Sequence, residues 1–334
     1  MANRTDVAKL AGVSVATVSN VFARKNIVAP SKIDKVYEAA RQLRYTPNYR
    51  AQCLSLGRSM NIGVLIDECT NPYHLEIVSG IEKYAGKKKY SVSVFILSGN
   101  TGTKLSFVES RQLDALVNMT TCMYPSTFIE NCKNTNTVLV DFGADFGAGT
   151  FKHFTAAMLQ LMERTASLGH TKVGYVSTSH KESFSCDERG ICFLQNRRAM
   201  GFCEDADLII NSEELYGFSE DTGYRLAKEL LERRPDITAI FATNDLAAIG
   251  VIRVVAEKGL NVPRDISVIG CDDLNISKRL TPSLTTMAYD KQGFGAEIAR
   301  SVIELIEGKR NGVGVELHAT VEPIFRESLT KCRS

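Results

Sequence analysis

Residues 12 to 22 read G-V-S-V-A-T-V-S-N-V-F. Four short hydrogen-bonding side chains, Ser14, Thr17, Ser19 and Asn20, alternate there with small apolar ones at helical spacing. A helix made for a core would turn Leu, Ile or Phe toward its neighbours. This one keeps small polar groups for a partner outside the protein. Hydroxyls and amides of this size donate to phosphate oxygens and read base edges. The segment is also basic: residues 1–58 carry ten Lys and Arg against three Asp and Glu, net +7, while the remainder carries 30 against 35, net −5. The chain's overall charge of +2 conceals that asymmetry. A polyanion would bind the basic end; a merely solvated positive surface would show the same count.

The elements that must hold those residues follow from the caps. Thr5 or Asp6 is predicted to cap a helix over V-A-K-L-A, Gly12 to supply the turn, and Ser14 to cap a second helix running to about Ala23. Pro30 opens a third, in which Ile33, Val36, Tyr37, Ala40 and Leu43 recur at helical spacing to about Arg44. Ala8, Gly12, Val18 and Val21 suit the tight crossing of a helix-turn-helix, although an ordinary αα-hairpin uses the same residue types. Pro47 then breaks the chain, Asn48 caps a short helix through Leu54 or Leu56, and Gly57 ends it. The expected organisation is therefore a three-helix domain over 1–45, a linker with helical potential over 46–58 that is too short to be a stable helix alone, and the rest over 59–334.

Beyond residue 59 the pattern changes. Strand-like runs at 61–67, 90–97, 114–119, 137–141, 172–177, 238–242 and 265–270 alternate with helical stretches such as 73–85, 154–168, 221–233 and 246–258. Alternating β and α predicts parallel sheets covered on both faces, an α/β fold. The length allows two lobes, the first over about 59–150 plus 283–312 and the second over about 151–282 plus 313–334. A ligand cleft is expected at the strand ends.

Several classes are excluded or left empty. There is no G-x-G-x-x-G, no P-loop and no Ser/His/Asp constellation, so no catalytic residue and no cofactor are assigned. His170 in L-G-H reads as a structural turn residue. The nine cysteines form no C-x-x-C pair and lack histidines at zinc spacing, which leaves no metal site and points to free thiols; a Cys186–Cys192 bridge is the minority alternative. No apolar run is long enough for a signal peptide or a membrane span, so the expected place is the cytoplasm.

At family spacing, D-V-A-K-L-A-G-V-S-V-A-T-V-S, L-R-Y-T-P-N, N-I-G-V-L-I-D…N-P-Y, L-G-H-T-K-V-G-Y-V, F-A-T-N-D-L-A-A-I-G, G-L-N-V-P-R-D-I-S-V-I-G-C-D-D and P-S-L-T-T-M occur in order along nearly the whole chain. Together they resemble the lactose-repressor (LacI) family of bacterial transcription regulators. The resemblance implies a helix-turn-helix plus hinge helix joined to a two-lobe periplasmic-binding-protein-like domain. It implies a homodimer, a double-stranded DNA operator and a small-molecule effector, sugar or nucleobase-like, with no membrane partner. Carried over by position, Val15 and Ala16 read bases, with Thr5, Ser14, Thr17, Ser19, Arg24, Asn26 and Asn48 completing the DNA contacts and Leu54 wedging into the minor groove. Tyr73, Arg198, Phe218, Asn244 and Asp272 match effector contacts.

This sequence departs from the family at several of those places. Asn20 replaces the usual arginine and suits adenine rather than guanine, or else merely solvates the helix. Gln52 replaces an arginine beside Leu54, and Ala23 and Ala29 replace polar residues. The stretch from Leu97 to Leu116 is shorter than in typical relatives by more than a helical turn. The helix before L-G-H-T-K is expected to begin with Lys152, His153 and Phe154 in place of an acidic pocket residue. Competing functions are a transporter's solute-binding protein, a nucleotide-dependent enzyme and a sequence-independent nucleoid protein. A heptad for tetramers is missing after Leu329, so a dimer is expected.

Overall fold

A helix begins where a side chain can satisfy its first free amides, and at the amino end that side chain belongs to Asn3. Its Oδ1 accepts from the amides of Thr5 at 2.8 Å and Asp6 at 3.1 Å, while the Asp6 carboxylate accepts from the Asn3 amide at 2.9 Å. This reciprocal box corrects the expected cap at Thr5 or Asp6: Asp6 lies one turn in and closes the box from inside. The computed structural model describes residues 2–22, 27–46, 57–67, 69–97, 101–120, 124–141, 148–180, 184, 187–213, 219–309 and 315–333. It divides into two units, Met1–Ser59 and Met60–Ser334.

The first unit holds α1 (Arg4–Ala11), α2 (Val15–Phe22) and α3 (Pro30–Gln42). Gly12, at φ +65°, ends α1 in the left-handed region where a glycine carries no strain. Ser14 caps α2 as expected, accepting the Thr17 amide at 3.1 Å. The third helix stops two residues before Arg44, which turns to φ +48° so that the Tyr45 amide reaches the Ala40 carbonyl at 2.8 Å. Val7, Ala8, Ala11, Val18, Val21, Val36, Ala39 and Ala40 form the core. Only such small residues let three short helices approach closely. Ala23, Arg24, Asn26 and the expected hinge residues Asn48, Gln52 and Leu54 lie outside the described residues.

The second unit runs β1 (Asn61–Ile66), α4 (Pro72–Lys87), β2 (Ser91–Ile96), α5 (Thr101–Glu109), β3 (Ala115–Asn118), α6 (Ser126–Asn134), β4 (Val138–Asp141) and β5 (Ala148–His153). It continues through α7 (Thr155–Ser167), β6 (Val173–His180), α8 (Glu188–Asn196), β7 (Ile209–Ser212), α9 (Glu220–Arg233), β8 (Ala239–Ala242), α10 (Asp245–Glu257) and β9 (Ser267–Ile269). It closes with β10 (Thr286–Ala288), α11 (Lys291–Ile306), β11 (Val315–Thr320) and β12 (Glu322–Ile324). One parallel sheet has the order β11-β5-β4-β3-β1-β2 and the other β7-β6-β8-β9; β10 and β12 pair antiparallel. Alternate residues of β1 serve opposite faces: Ile62, Val64 and Ile66 pack with Ile77 of α4 and Ile298 of α11, while Leu65 packs with Leu105 of α5 and Phe128 of α6. Near-continuous apolar strands are what such two-sided burial requires.

Three boundaries differ from expectation. Residues 148–153 form a strand, so Lys152 and His153 precede α7 rather than start it. β5 pairs in parallel with β11, Thr150 opposite Leu317, which places 151–153 and 315–320 in the first sheet rather than in the second lobe. Conversely Thr286 donates to Asp245 at 2.6 Å and the Thr285 amide to Ser328 Oγ at 2.8 Å, binding that crossing to the second sheet. α4 and α11 cross so closely that a Cβ on Gly80 would stand 2.0 Å from the Gln292 carbonyl oxygen, and one on Gly295 2.1 Å from that of Ile77. Only glycines permit this contact. It fixes the start of α11 against α4. Among the described residues no helix is long and apolar enough to cross a membrane.

Candidate nucleic-acid interface and effector cleft

The outward side of α2 carries the residues singled out by the sequence. Val18 and Val21 turn into the core, so residues four apart on the other side, Val15 with Ser19 and Ala16 with Asn20, share the opposite face. Ser14 and Ala16 are exposed, Val15 is 41% exposed, and Thr17, Ser19 and Asn20 are half-buried. Thr5 is exposed on α1. The Ser14 and Thr17 hydroxyls bond each other at 2.9 Å. Between them they hold two protons and use one, which leaves an O–H for an incoming oxygen. Two apolar side chains flanked by hydroxyls and an amide, on a helix seated in a rigid core, make a surface that fits a groove edge.

The second constellation gathers at the carboxyl ends of the second sheet's strands. Asp187 caps α8 by accepting the Arg189 amide at 3.1 Å, and the same carboxylate accepts from Arg189 Nε at 2.9 Å. Arg189 Nη1 donates to the Thr243 carbonyl at 2.7 Å, which ties the first turn of α8 to the end of β8. Its guanidinium stands 5.3 Å from the Phe154 ring centre. Asn244, buried, caps α10 through the Ala247 amide at 2.8 Å. Asp245 follows, fully buried, with its amide on the Cys271 carbonyl at 2.7 Å. Its carboxylate accepts from the Leu274 amide at 2.8 Å, Ser277 at 2.5 Å and Thr286 at 2.6 Å. Burial, reinforced by the neighbouring Asp272 carboxylate, pushes the Asp245 carboxyl up to about 7 against those three donors.

Asp272 itself is buried and holds φ at +115°, a backbone shape that L residues rarely adopt. Such an outlier persists only where its surroundings over-determine it. Here the Asp272 amide donates to Met287 and its carbonyl accepts from Lys291 Nζ. The Lys291 side chain, only 3% exposed, also meets Glu76 of α4 at 3.3 Å. Beside it Tyr289 donates to the Tyr73 hydroxyl at 2.7 Å, and Tyr289 packs with the cores of both lobes. Burial, with Tyr73 next, holds the Tyr289 hydroxyl well above the ordinary tyrosine range. Tyr73 and Asp272 are thus drawn into one polar crosspiece that joins the lobes, while Asn244 stays at the cap of α10.

Arg198 is not part of it. Its side chain is 86% exposed and pairs with Glu204 at 3.6 Å, because it follows the end of α8, the far end of that helix from the strand ends. Phe218 lies outside the described residues. The sequence reasoning missed Arg189, Asp187, Tyr289 and Lys291. The signal for Arg189 was present: an aspartate two residues earlier, in D-E-R-G, in the stretch that follows the strand-like run at 172–177. His170 is buried between Thr238 Oγ1 and the Thr330 carbonyl, each at 2.9 Å, a structural tie between sheet and tail. Cys192 is a free thiol, and Cys186 lies outside the described residues. Among the described residues no group of three or more His, Cys, Asp or Glu is placed to hold a metal ion.

Comparison with known proteins gives matches for both units. Residues 5–48 match the description bacterial regulatory proteins, lacI family, and residues 162–329 match the periplasmic binding protein-like domain. The HTH-type transcriptional repressor PurR of Haemophilus influenzae (strain PittEE) is 30% identical over 98% of this chain and 99% of its own length. Its namesake from Aliivibrio salmonicida (strain LFI1238) is 28% identical over 99% and 100%. Among solved structures, the lac repressor dimer bound to operator and the anti-inducer ONPF has the same fold, with a TM-score of 0.80 at 23% identity, covering 98% of this chain and 99% of that one. The complex of the transcriptional regulator CelR with cellobiose matches at 0.70 and 22% identity, over 98% and 100%.

Proposed function

Because this chain belongs to the lacI family of bacterial regulatory proteins, we propose that it represses transcription as a homodimer on a palindromic operator, with a small polar metabolite between its lobes setting its grip. Membership makes it a DNA-binding transcriptional regulator. The observation that carries the finer reading is the outward face of α2 within a segment of net charge +7. Val15 and Ala16 suit contact with thymine methyl groups, and Asn20 suits the N6 and N7 edge of adenine. Ser14, Thr17, Ser19 and Thr5 hold phosphates, helped by Arg24, Asn26 and Asn48, and Leu54 kinks the centre of the site.

The effector contacts in this reading are Tyr73, Asn244, Asp272 and Phe218, with Arg189 taking the place first given to Arg198. An arginine already oriented by Asp187, two carboxylate neighbours and a tyrosine suit a sugar or a nucleobase-like ring. A ligand that prefers one lobe arrangement shifts the balance between arrangements by that preference alone. The crosspiece through Tyr73, Tyr289 and Lys291 is the element that such a shift must rearrange. An exposed apolar strip on Leu75 of α4 and on Val94 and Ile96 of the edge strand β2 supports the homodimer. The work assigned to the chain is binding in the cytoplasm, without cofactor or catalysis. Selection of bound duplexes from a random library tests the reading, followed by a metabolite screen for ligands that shift that binding. Recovery of a single palindrome, and of a metabolite that alters its affinity, is expected; sequence-independent binding contradicts it.

A further inference from the structure

The second unit is acidic as a whole, yet one of its edges is basic. The strands of the first sheet are parallel, so the chain segments that precede them lie together at one edge, opposite the cleft. Hydrogen bonds tie those segments: the Ser91 amide donates to the Met60 carbonyl at 2.9 Å, the Met60 amide to Asp114 at 2.8 Å, and the Val138 amide to the Asp114 carbonyl at 3.0 Å. This edge carries Lys87, Lys88 and Lys89 after α4, Arg111 after α5, Lys133 at the end of α6 and Lys309 after α11. All six are exposed.

Its acids are few and engaged. Glu109 accepts from Asn131 at 3.0 Å, Asp114 accepts from the Met60 amide, and Glu307 pairs with Lys309. Six cations against these three carboxylates and Glu304, whose charge also acts on Lys309, give the edge +2, in a unit whose net charge over 60–334 is −5, so everything else in it sums to −7. Cations at helix carboxyl ends offset the macrodipole, and one per helix suffices for that. Three consecutive lysines on and beyond the end of α4 exceed it. Among the described residues Lys87, Lys88 and Lys133 form no ion pair.

The same edge is where the chain arrives from the DNA-binding segment, at Met60. Residues 46–59 reach at most about 50 Å when extended, so the end of the first unit stays tethered within that distance of Met60, on the edge that carries the lysines. We propose that this edge is a second, sequence-independent contact, gripping the phosphates that flank the operator. The proposal rests on the operator-binding reading above and extends it from the first unit to the second. Of the polyanions that could meet such an edge, duplex DNA is the one the chain itself brings there. Each neutralised phosphate adds about 0.9 to the slope of log affinity against log salt.

The test compares two duplexes carrying the palindrome selected from a random library, one trimmed to about 20 base pairs and one extended on both sides to about 40. The full-length protein and its Lys87→Gln/Lys88→Gln/Lys133→Gln variant are titrated on both across a salt series. The expected result is a steeper salt slope on the long duplex for the wild type, by roughly 5 units for three lysines on each of two protomers, with the difference lost in the variant. Equal melting temperatures for the two proteins would show that the fold is intact. Identical slopes on short and long duplexes, or equal weakening of both by the variant, overturns the flanking contact and leaves the operator reading standing. Failure of the wild type to prefer the palindrome over scrambled sequence overturns both.

Discussion

The two units treat polar side chains in opposite ways. In the first, every buried side chain among the described residues is apolar, and the groups that matter stand on the outer face of α2. In the second, Asp245, Asp272, Asn244 and Lys291 are buried and bonded to backbone groups around them: Asp245 to the Leu274 amide, Asn244 to the Ala247 amide and Lys291 to the Asp272 carbonyl. A surface that reads DNA must stay solvated until the duplex arrives, and its rigidity comes from the apolar side of the same helix. A site that senses a small molecule needs its groups in low dielectric, where each bond is stronger and each unpaired group costs more. Buried polar groups therefore have to be fully paired in advance, and damage to them spreads through the lobe.

That contrast predicts where substitutions hurt. The largest effect is expected at Asp245. Its carboxyl rises from 3.8 to about 7, so the folded chain keeps a proton that the unfolded chain has lost between those values. The contribution is full below pH 4 and fades as pH climbs through 7, a change of about 4 kcal/mol. Unfolding in denaturant from pH 4 to pH 8 should show this decline, and Asp245→Asn should flatten it. A decline of equal size in the variant would assign the effect elsewhere.

Next comes Asp187→Ala, which leaves the Arg189 guanidinium enclosed without its counter-charge. A loss of about 3 kcal/mol in the second unit's unfolding free energy is expected, together with loss of any metabolite-induced rise in melting temperature. Arg198→Ala, on the solvent side, should change neither. Were Arg198→Ala the damaging member of that pair, the cleft would be misassigned. Smallest is Ser14→Ala, which removes the α2 cap and should lower the first unit's stability by about 1 kcal/mol, read from amide exchange in α2. Unaltered exchange there would separate α2 from its cap.

Legibility in the sequence followed the same divide. The helix-turn-helix is built from local signals, so Gly12, Ser14, Val18 and Val21 could be placed from spacing alone; only the first cap slipped to Asn3, where the box closes from both sides. Apart from the short run I-I-N-S that becomes β7, which was missed, most parallel strands were equally visible. β5 and β11 were not, because A-G-T-F-K-H and V-E-L-H-A-T are short and become strands by pairing across more than 160 residues. Arg198 and Arg189 could not be ranked by motif, since what separates them is which end of α8 faces the strand ends. Tyr289 and Lys291 gained their place from the Gly80 and Gly295 crossing, a contact between distant helices that no local pattern encodes.

Base reading in the proposed function lies with the outward face of α2, and Asn20 is the residue on it that departs from the family. Duplex selection with the wild type and with Asn20→Arg, at one salt concentration, tests it directly. The two preferred sites should differ at one position in each half, mirrored about the centre, with adenine giving way to guanine. Identical preferred sites would mean that Asn20 faces solvent or phosphate and that α2 does not read the operator through this face.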